Sequence, residues 1–195
     1  MPPSSSATTV EDVIVSPEPP RERLSEGRKS AEAEALLALS HTLAHAPDQA
    51  VQQLVNSAMK LAQAESAGVS VEDMEADDVI LRWIATAGEL ARYKNGTMPR
   101  NFSPCGTAMD RRSSLVMRDP VRYYPYIGQL HAAVRTVLLV PFARRGRIVG
   151  TLWVVAHADD KSFDAEEKRI VEGLATFASA ILDAQELRAG KASAS

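Results

Sequence analysis

The run RTVLLVPFARRGRIVGTLWVVAHA, residues 135–158, constrains the fold more than any other part of the chain. Two stretches rich in Val, Leu and Ile flank RRGR, where Gly146 can supply a positive φ at no steric cost, so the segment predicts a β-hairpin. Upstream, SAGVSVED (66–73) and DDVILRWIATAG (77–88) are near-continuous β-branched and apolar runs bounded by Gly and acidic residues. They predict a second strand pair.

Helical spacing appears on both sides of these strands. SAEAEALLALSHTLAHA (30–46) places Leu36, Leu39 and Leu43 on one stripe, and DQAVQQLVNSAMKLAQA (48–64) does the same through Val51, Leu54, Val55, Ala58, Met59 and Ala62. SFDAEEKRIVEGLATFASAILDAQELRAG (162–190) predicts one long helix, capped by Ser162 or Asp164, with Ile170, Leu174, Phe177 and Ile181 on its apolar stripe. Residues 88–135 are interrupted by Pro99, Pro104, Gly106, Pro120, Pro125 and Gly128. Within them GTAMDRR (106–112) predicts a helical turn and SSLVMRD (113–119) a short strand; the rest reads as a long functional connection.

The element order predicts an α+β fold: a central antiparallel sheet, terminal helices packed on one face, and the long connection as a lid over the other. Its length of 195 residues fits one domain. Residues 1–24, rich in Pro, Ser, Glu and Thr, predict a disordered tail; 25–188 form the domain with both terminal helices; 189–195 form a flexible C-terminal tail.

Several function classes are excluded at this level. A formal net charge of −3 gives no basic footprint for nucleic acid, and RRGR is too short to make one. No run of 18 apolar residues exists and MPPSSSATTV has no basic start, so neither a membrane span nor a signal peptide is expected and the location is cytoplasmic. The single cysteine, Cys105, can form no internal disulfide.

The hairpin LLVPFARRGRIVGTLWVVAH, the following FDAEEKRIVEGLATFASAIL and the earlier SPCGTAMDRRSSLVMRDP together resemble a GAF domain of the kind associated with bacterial histidine kinases. The resemblance covers about residues 32–187 and implies a sensory module with a pocket between sheet and lid. The implied ligand-binding candidates are Trp83, Phe102, Cys105, Arg118, Asp119, Tyr123, Tyr124, Tyr126, His131 and Trp153. Strand alternation lets only one set per strand face the pocket, so one tryptophan can point away. The resemblance also implies a homodimer through the terminal helices, aided by the small residues Gly173, Ala175, Ala178 and Ala180, and a signalling partner such as a histidine kinase.

Cys105 carries two readings. PCGTA resembles the corresponding segment of free methionine-R-sulfoxide reductases, which implies a thiol-dependent redox sensor or enzyme whose thiolate a helix N-terminus would favour. Such chemistry needs a second thiol that this chain lacks, and the competing reading is a small buried residue in a tight bend. A bilin-attaching cysteine of phytochrome-like GAF domains is usually followed by His, and Gly106 stands here; the cyclic-nucleotide signature lacks its first Asn. The residues therefore name no cofactor. His41 and His45 share a helix face without a third ligand, so no metal site is expected, and His157, at the end of a strand, either lines the pocket mouth or is a satisfied structural histidine. Arg118, Arg122 and Arg135 beside the tyrosines of RYYPYIGQLHAAVR (122–135) either hold an anionic group under the lid or belong to a solvated loop. Without Ser-His-Asp spacing, paired carboxylates or a phosphate loop, the sequence predicts a non-catalytic sensory or regulatory protein.

Overall fold

The structure, a computed structural model, describes residues 8–20 and 26–192. The strands are β1 (Ile14–Val15), β2 (Ser66–Glu75), β3 (Asp78–Gly88), β4 (Thr97–Pro99), β5 (Leu115–Arg118), β6 (Thr136–Arg144) and β7 (Arg147–Ala156). The helices are α1 (Glu26–His45), α2 (Pro47–Leu61), α3 (Pro104–Arg111) and α4 (Ala165–Ala192). All seven strands form one antiparallel sheet in the order β1-β5-β6-β7-β2-β3-β4. The predicted hairpin β6–β7 sits near its middle.

The turn of that hairpin has positive φ at both Arg145 (50°) and Gly146 (81°). Positive φ at both central residues is the mirror-image turn whose twist matches that of paired strands. On α4, Asp164 rather than Ser162 is the cap: its Oδ1 accepts from the backbone N–H of Glu166 and Glu167, while Glu167 Oε2 accepts from the Asp164 N–H. Both carboxylates thereby satisfy amides that a helix start leaves orphaned.

Residues 8–20 depart from the expected tail. Ile14 and Val15 pair with Met117 and Val116 at the sheet edge, Val13 is fully buried, and Glu18 bridges to Asp164. The β-branched triplet Val13-Ile14-Val15 has enough strand propensity and apolar surface to dock, a signal that the Pro- and Ser-rich average of the segment conceals. The rest of the expected N-terminal tail, 1–7 and 21–24, lies outside the described residues. At the other end, the backbone of α4 remains helical to Ala192, inside the segment expected to be flexible, and 193–195 lie outside the described residues.

Strand alternation divides the interior into two cores. Ala67 and Val69 of β2, Leu138 and Val140 of β6, and Leu152 and Val154 of β7 face a core closed by α2 and α4, with Leu39 of α1 packed in. Intervening residues Val137, Leu139, Trp153 and Val155 face the connection between β4 and β6. Helices thus cover one face and the long connection roofs the other. β3 changes faces midway: Val69 pairs with Ala85 but Ser70 with Trp83, so Ile84 is an extra residue, a β-bulge. The bulge lets Ala85 and Ala87 join the helical core while Trp83 joins the roofed one.

Candidate functional site

Beneath the roof lies an apolar cavity of about 40 Å³. Its floor is Trp83, Val137, Leu139, Trp153 and Val155; its roof is Pro104 and Cys105 of α3 with Ile127, Leu130 and Val134; Leu90 and Met98 close the sides. About 10–15 Å³ of such space is enough to hold one water, so the cavity takes a small guest, and a larger one only if the roof moves. That roof contains the short 3-10 turns Pro120–Arg122 and Pro125–Gln129, which lack the continuous hydrogen-bond ladder of sheet or helix.

Both tryptophans face this cavity, their rings 5.2 Å apart, because the bulge in β3 brings Trp83 round to the side of Trp153. Trp153 lies flat on Gly68: a Cβ there would come 2.2 Å from the indole. Its Nε1 donates to Ser70 Oγ at 2.9 Å, and Ser70 Oγ lies 3.7 Å from the Cys105 sulfur. The sequence places Ser66, Gly68 and Ser70 at alternate positions of β2, leaving room for large rings from β3 and β7.

Cys105 stands in the first turn of α3, whose N-cap Ser103 accepts from the Gly106 N–H at 3.0 Å. Arg100 fixes this turn from outside, donating to Glu72 (2.8 Å), Asp110 (2.8 Å) and the Gly106 carbonyl (3.3 Å). The thiol is only 3% exposed. Burial pushes its pKa up, against the hydroxyls of Thr151 and Ser70, its own backbone and the charge of Arg100, which all act downward. Desolvation outweighs the helix terminus. The thiol of the folded protein is therefore expected to alkylate with iodoacetamide at pH 8 at least about tenfold more slowly than in denaturant, as free thiols do when thiolate and access are both withheld. A rate equal to that of unfolded chain would sink this account. The neutral thiol's contribution to stability is whole below the ordinary thiol pKa, about 8.5. It is lost as pH rises from there through the higher folded-state value.

Of the ten sequence candidates, Trp83, Cys105 and Trp153 line the cavity. Four more form its outer cover. Phe102, 43% exposed, packs its ring 5.6, 5.2 and 6.3 Å from those of Tyr123, Tyr124 and Tyr126. Tyr124 is fully buried and shares a hydrogen bond of 2.6 Å with Thr107. Tyr126 points a buried hydroxyl inward without a partner, and burial raises its pKa, reinforced by Cys105 and Tyr124. The tyrosines thus fill space that a bound ring would otherwise occupy.

The remaining three lie elsewhere. His131 sits at the rim, its N–H donated to Tyr93 Oη at 2.9 Å and its ring 5.6 Å from that tyrosine. Arg118 ends β5, Asp119 follows it, and neither lines the cavity: Arg118 reaches the Asp159 carbonyl at 3.4 Å, while Arg135 bridges Asp119 (3.6 Å) and Asp159 (2.7 Å). Arg135 neutralises two local acids and Arg118 donates to a backbone carbonyl, so both act outside the lid under which a sequence reading places their charge. His157 is satisfied at both nitrogens: Nδ1 donates to the Ala133 carbonyl and Nε2 accepts from Ser66, each at 2.7 Å. His41 and His45 stack ring on ring at 4.2 Å.

Most of the lining escaped the sequence reading, because an aliphatic wall carries no chemical signature. Val137, Leu139 and Val155 could have been found from parity alone, since they share the face of Trp153 across paired strands.

The family model described as GAF domain matches residues 44–183. Among solved structures, the GAF domain of a phosphoenolpyruvate-protein phosphotransferase from Coxiella burnetii superposes with a TM-score of 0.68 at 16% identity, covering 84% of this chain and 98% of that one. Free methionine-R-sulfoxide reductase from Neisseria meningitidis, in complex with its substrate, gives 0.65 at 18% identity, covering 85% and 96%. The GAF-B domain of DevS from Mycobacterium smegmatis gives 0.57 at 20% identity, covering 76% and 99%. No curated protein is a match to the sequence. At these identities the structural likeness speaks for the fold, and the family model supplies the membership: a sheet with helices on one face, a roofed cavity on the other, and a match over 44–183 of 195 residues place this chain in the GAF domain family.

Proposed function

We propose that this protein is a non-catalytic sensory or regulatory GAF domain of the cytoplasm that holds a small molecule in the cavity under its roof. One observation carries the reading: two tryptophans and an aliphatic wall converge on a space closed on one side by helix α3 and on the other by chain that has only short turns to hold it. A guest that favours one roof position over another shifts the population between them, and nothing further is needed for a signal.

The output runs through the terminal helices to a second copy and to a signalling partner such as a histidine kinase. Leu37 on α1 and Leu187 on α4 are 71% and 68% exposed, which leaves apolar surface on both helices unused in the monomer. Of the small residues on α4, Ala175 and Ala178 pack in the protein's own core and leave Gly173 and Ala180 outward. Among the described residues no helix is long and apolar enough to cross a membrane.

Native mass spectrometry of freshly purified protein is the test. A non-covalent mass that leaves on gentle activation, in a species of twice the chain mass that Leu37→Glu with Leu187→Glu converts to monomer, is the expected result. Absence of any retained mass, together with no thermal shift across a library of small metabolites, would retire the ligand reading; a monomer at micromolar concentration would retire the helix reading.

A further inference from the structure

Resting on that reading, we propose that the molecule held in the cavity is a light hydrocarbon, or an equally apolar compound of about three heavy atoms, with no hydrogen-bonding group. The walls lead here. Among the described residues, none that lines the space is charged, and no nitrogen or oxygen atom opens onto it. Both indole nitrogens lie out of reach: that of Trp153 donates to Ser70 at 2.9 Å, and that of Trp83 is buried. A carboxylate, phosphate or ammonium entering here would lose its hydration with nothing to replace it, and even a hydroxyl or amide would enter unpaired.

Water is turned away by the same walls. A buried water needs two to four polar partners, and an apolar space that offers none stays dry. What these walls do offer is dispersion: the faces of two large rings 5.2 Å apart, the sulfur-bearing Met98 and Cys105, and the aliphatic Val137, Leu139 and Val155. Polarisable atoms on several sides favour a guest that touches them all, because an unfilled gap forfeits those contacts. The 40 Å³ of space is about three times what one water requires, which sets the size of the guest. A dry cavity that takes benzene measures about 150 Å³, so a ring of that size is too large for this one.

Three small probes test the class in the intact protein: cyclopropane, xenon, and ethanol, which matches cyclopropane in heavy atoms but carries a hydroxyl. Cyclopropane is expected to bind saturably in the millimolar range, within what about three heavy atoms can supply. It should shift the methyl resonances of Val137, Leu139 and Val155 in a proton–carbon spectrum and leave those of Leu39 and Leu54, in the helical core, in place. Xenon should move the same methyl groups, and ethanol should bind at least about tenfold more weakly than cyclopropane. Val137→Ile combined with Val155→Ile adds two methylene groups to the floor and should cut cyclopropane affinity at least about tenfold by filling the space. Where that variant does not fold, the ranking of the three probes on the wild-type protein decides.

Ethanol binding as tightly as cyclopropane, or undiminished cyclopropane binding in the filled variant, would overturn the proposed class while leaving the sensory reading in place. So would indifference to cyclopropane and xenon in a protein that carries a charged or hydroxylated molecule through purification. Indifference to both probes with no retained mass would overturn the class and the sensory reading together.

Discussion

Gly106→Ala is expected to destabilise the protein by about 3 kcal/mol or more, at the upper end of what an overpacked site costs. A Cβ at this position would stand 1.9 Å from the Arg100 carbonyl oxygen and 3.1 Å from Ser103 Oγ. The first of these is backbone, fixed by the Arg100 clamp, and the second is the helix cap itself, so no flexible side-chain end can yield. The start of α3 must shift, and Cys105 with it. In a domain of this size each kcal/mol moves Tm by about 2–4 °C, which puts the drop near 6–12 °C in calorimetry. Gly173→Ala is the control: this glycine lies within α4 with nothing inside 4 Å of its would-be Cβ, and alanine there should raise stability by about 0.5–1 kcal/mol. Equal, small effects at the two positions would mean that the Arg100–Gly106 contact does not constrain α3.

This glycine also shows how far the sequence could be read. PCGTA announces a turn entering a helix, and the turn is there, but the reason for Gly106 is a carbonyl six residues earlier, which local pattern cannot supply. The hairpin, the strand pair, the short strand at 115–118 and three of the four helices were legible because alternation and 3.6-residue spacing are local signals written by burial itself. Two edge strands were not. β1 and β4 are two and three residues long, too short to show a period, and they exist because a neighbouring strand offers unpaired amides. The site divides the same way. Its aromatic and sulfur groups stood out as residue types, whereas Arg118 and Asp119 were drawn in by charge and proved to be matched with Arg135 and Asp159 at the surface. Whether a charge is free to meet a ligand depends on its neighbours in space, and sequence proximity to the tyrosines carried no information on that point.

Trp153→Ala should cost about 3–5 kcal/mol, the range for removing a buried large aromatic, and unlike the glycine change it should be partly reversible by a small molecule. Trp153 is 3% exposed, rests on Gly68, touches Trp83 and holds Ser70 Oγ by its N–H. Its removal merges an indole-shaped void with the existing 40 Å³ space, and it frees Ser70 as an acceptor at the bottom. β2, β6 and β7 are tied together by continuous ladders, so the floor cannot fall in to fill the hole. Free indole fits the vacancy in shape and in its single donor, and at ten times its dissociation constant it should restore about 1.4 kcal/mol. Wild-type protein, whose own ring occupies that space, should respond far less. Thermal unfolding of both proteins with and without indole measures the difference. A folded Trp153→Ala protein indifferent to indole would mean that the roof, through Ile127, Leu130 and Val134, has dropped onto the sheet. In that event the roof is mobile enough to close over nothing, and a ligand of ordinary size gains entry only by lifting it.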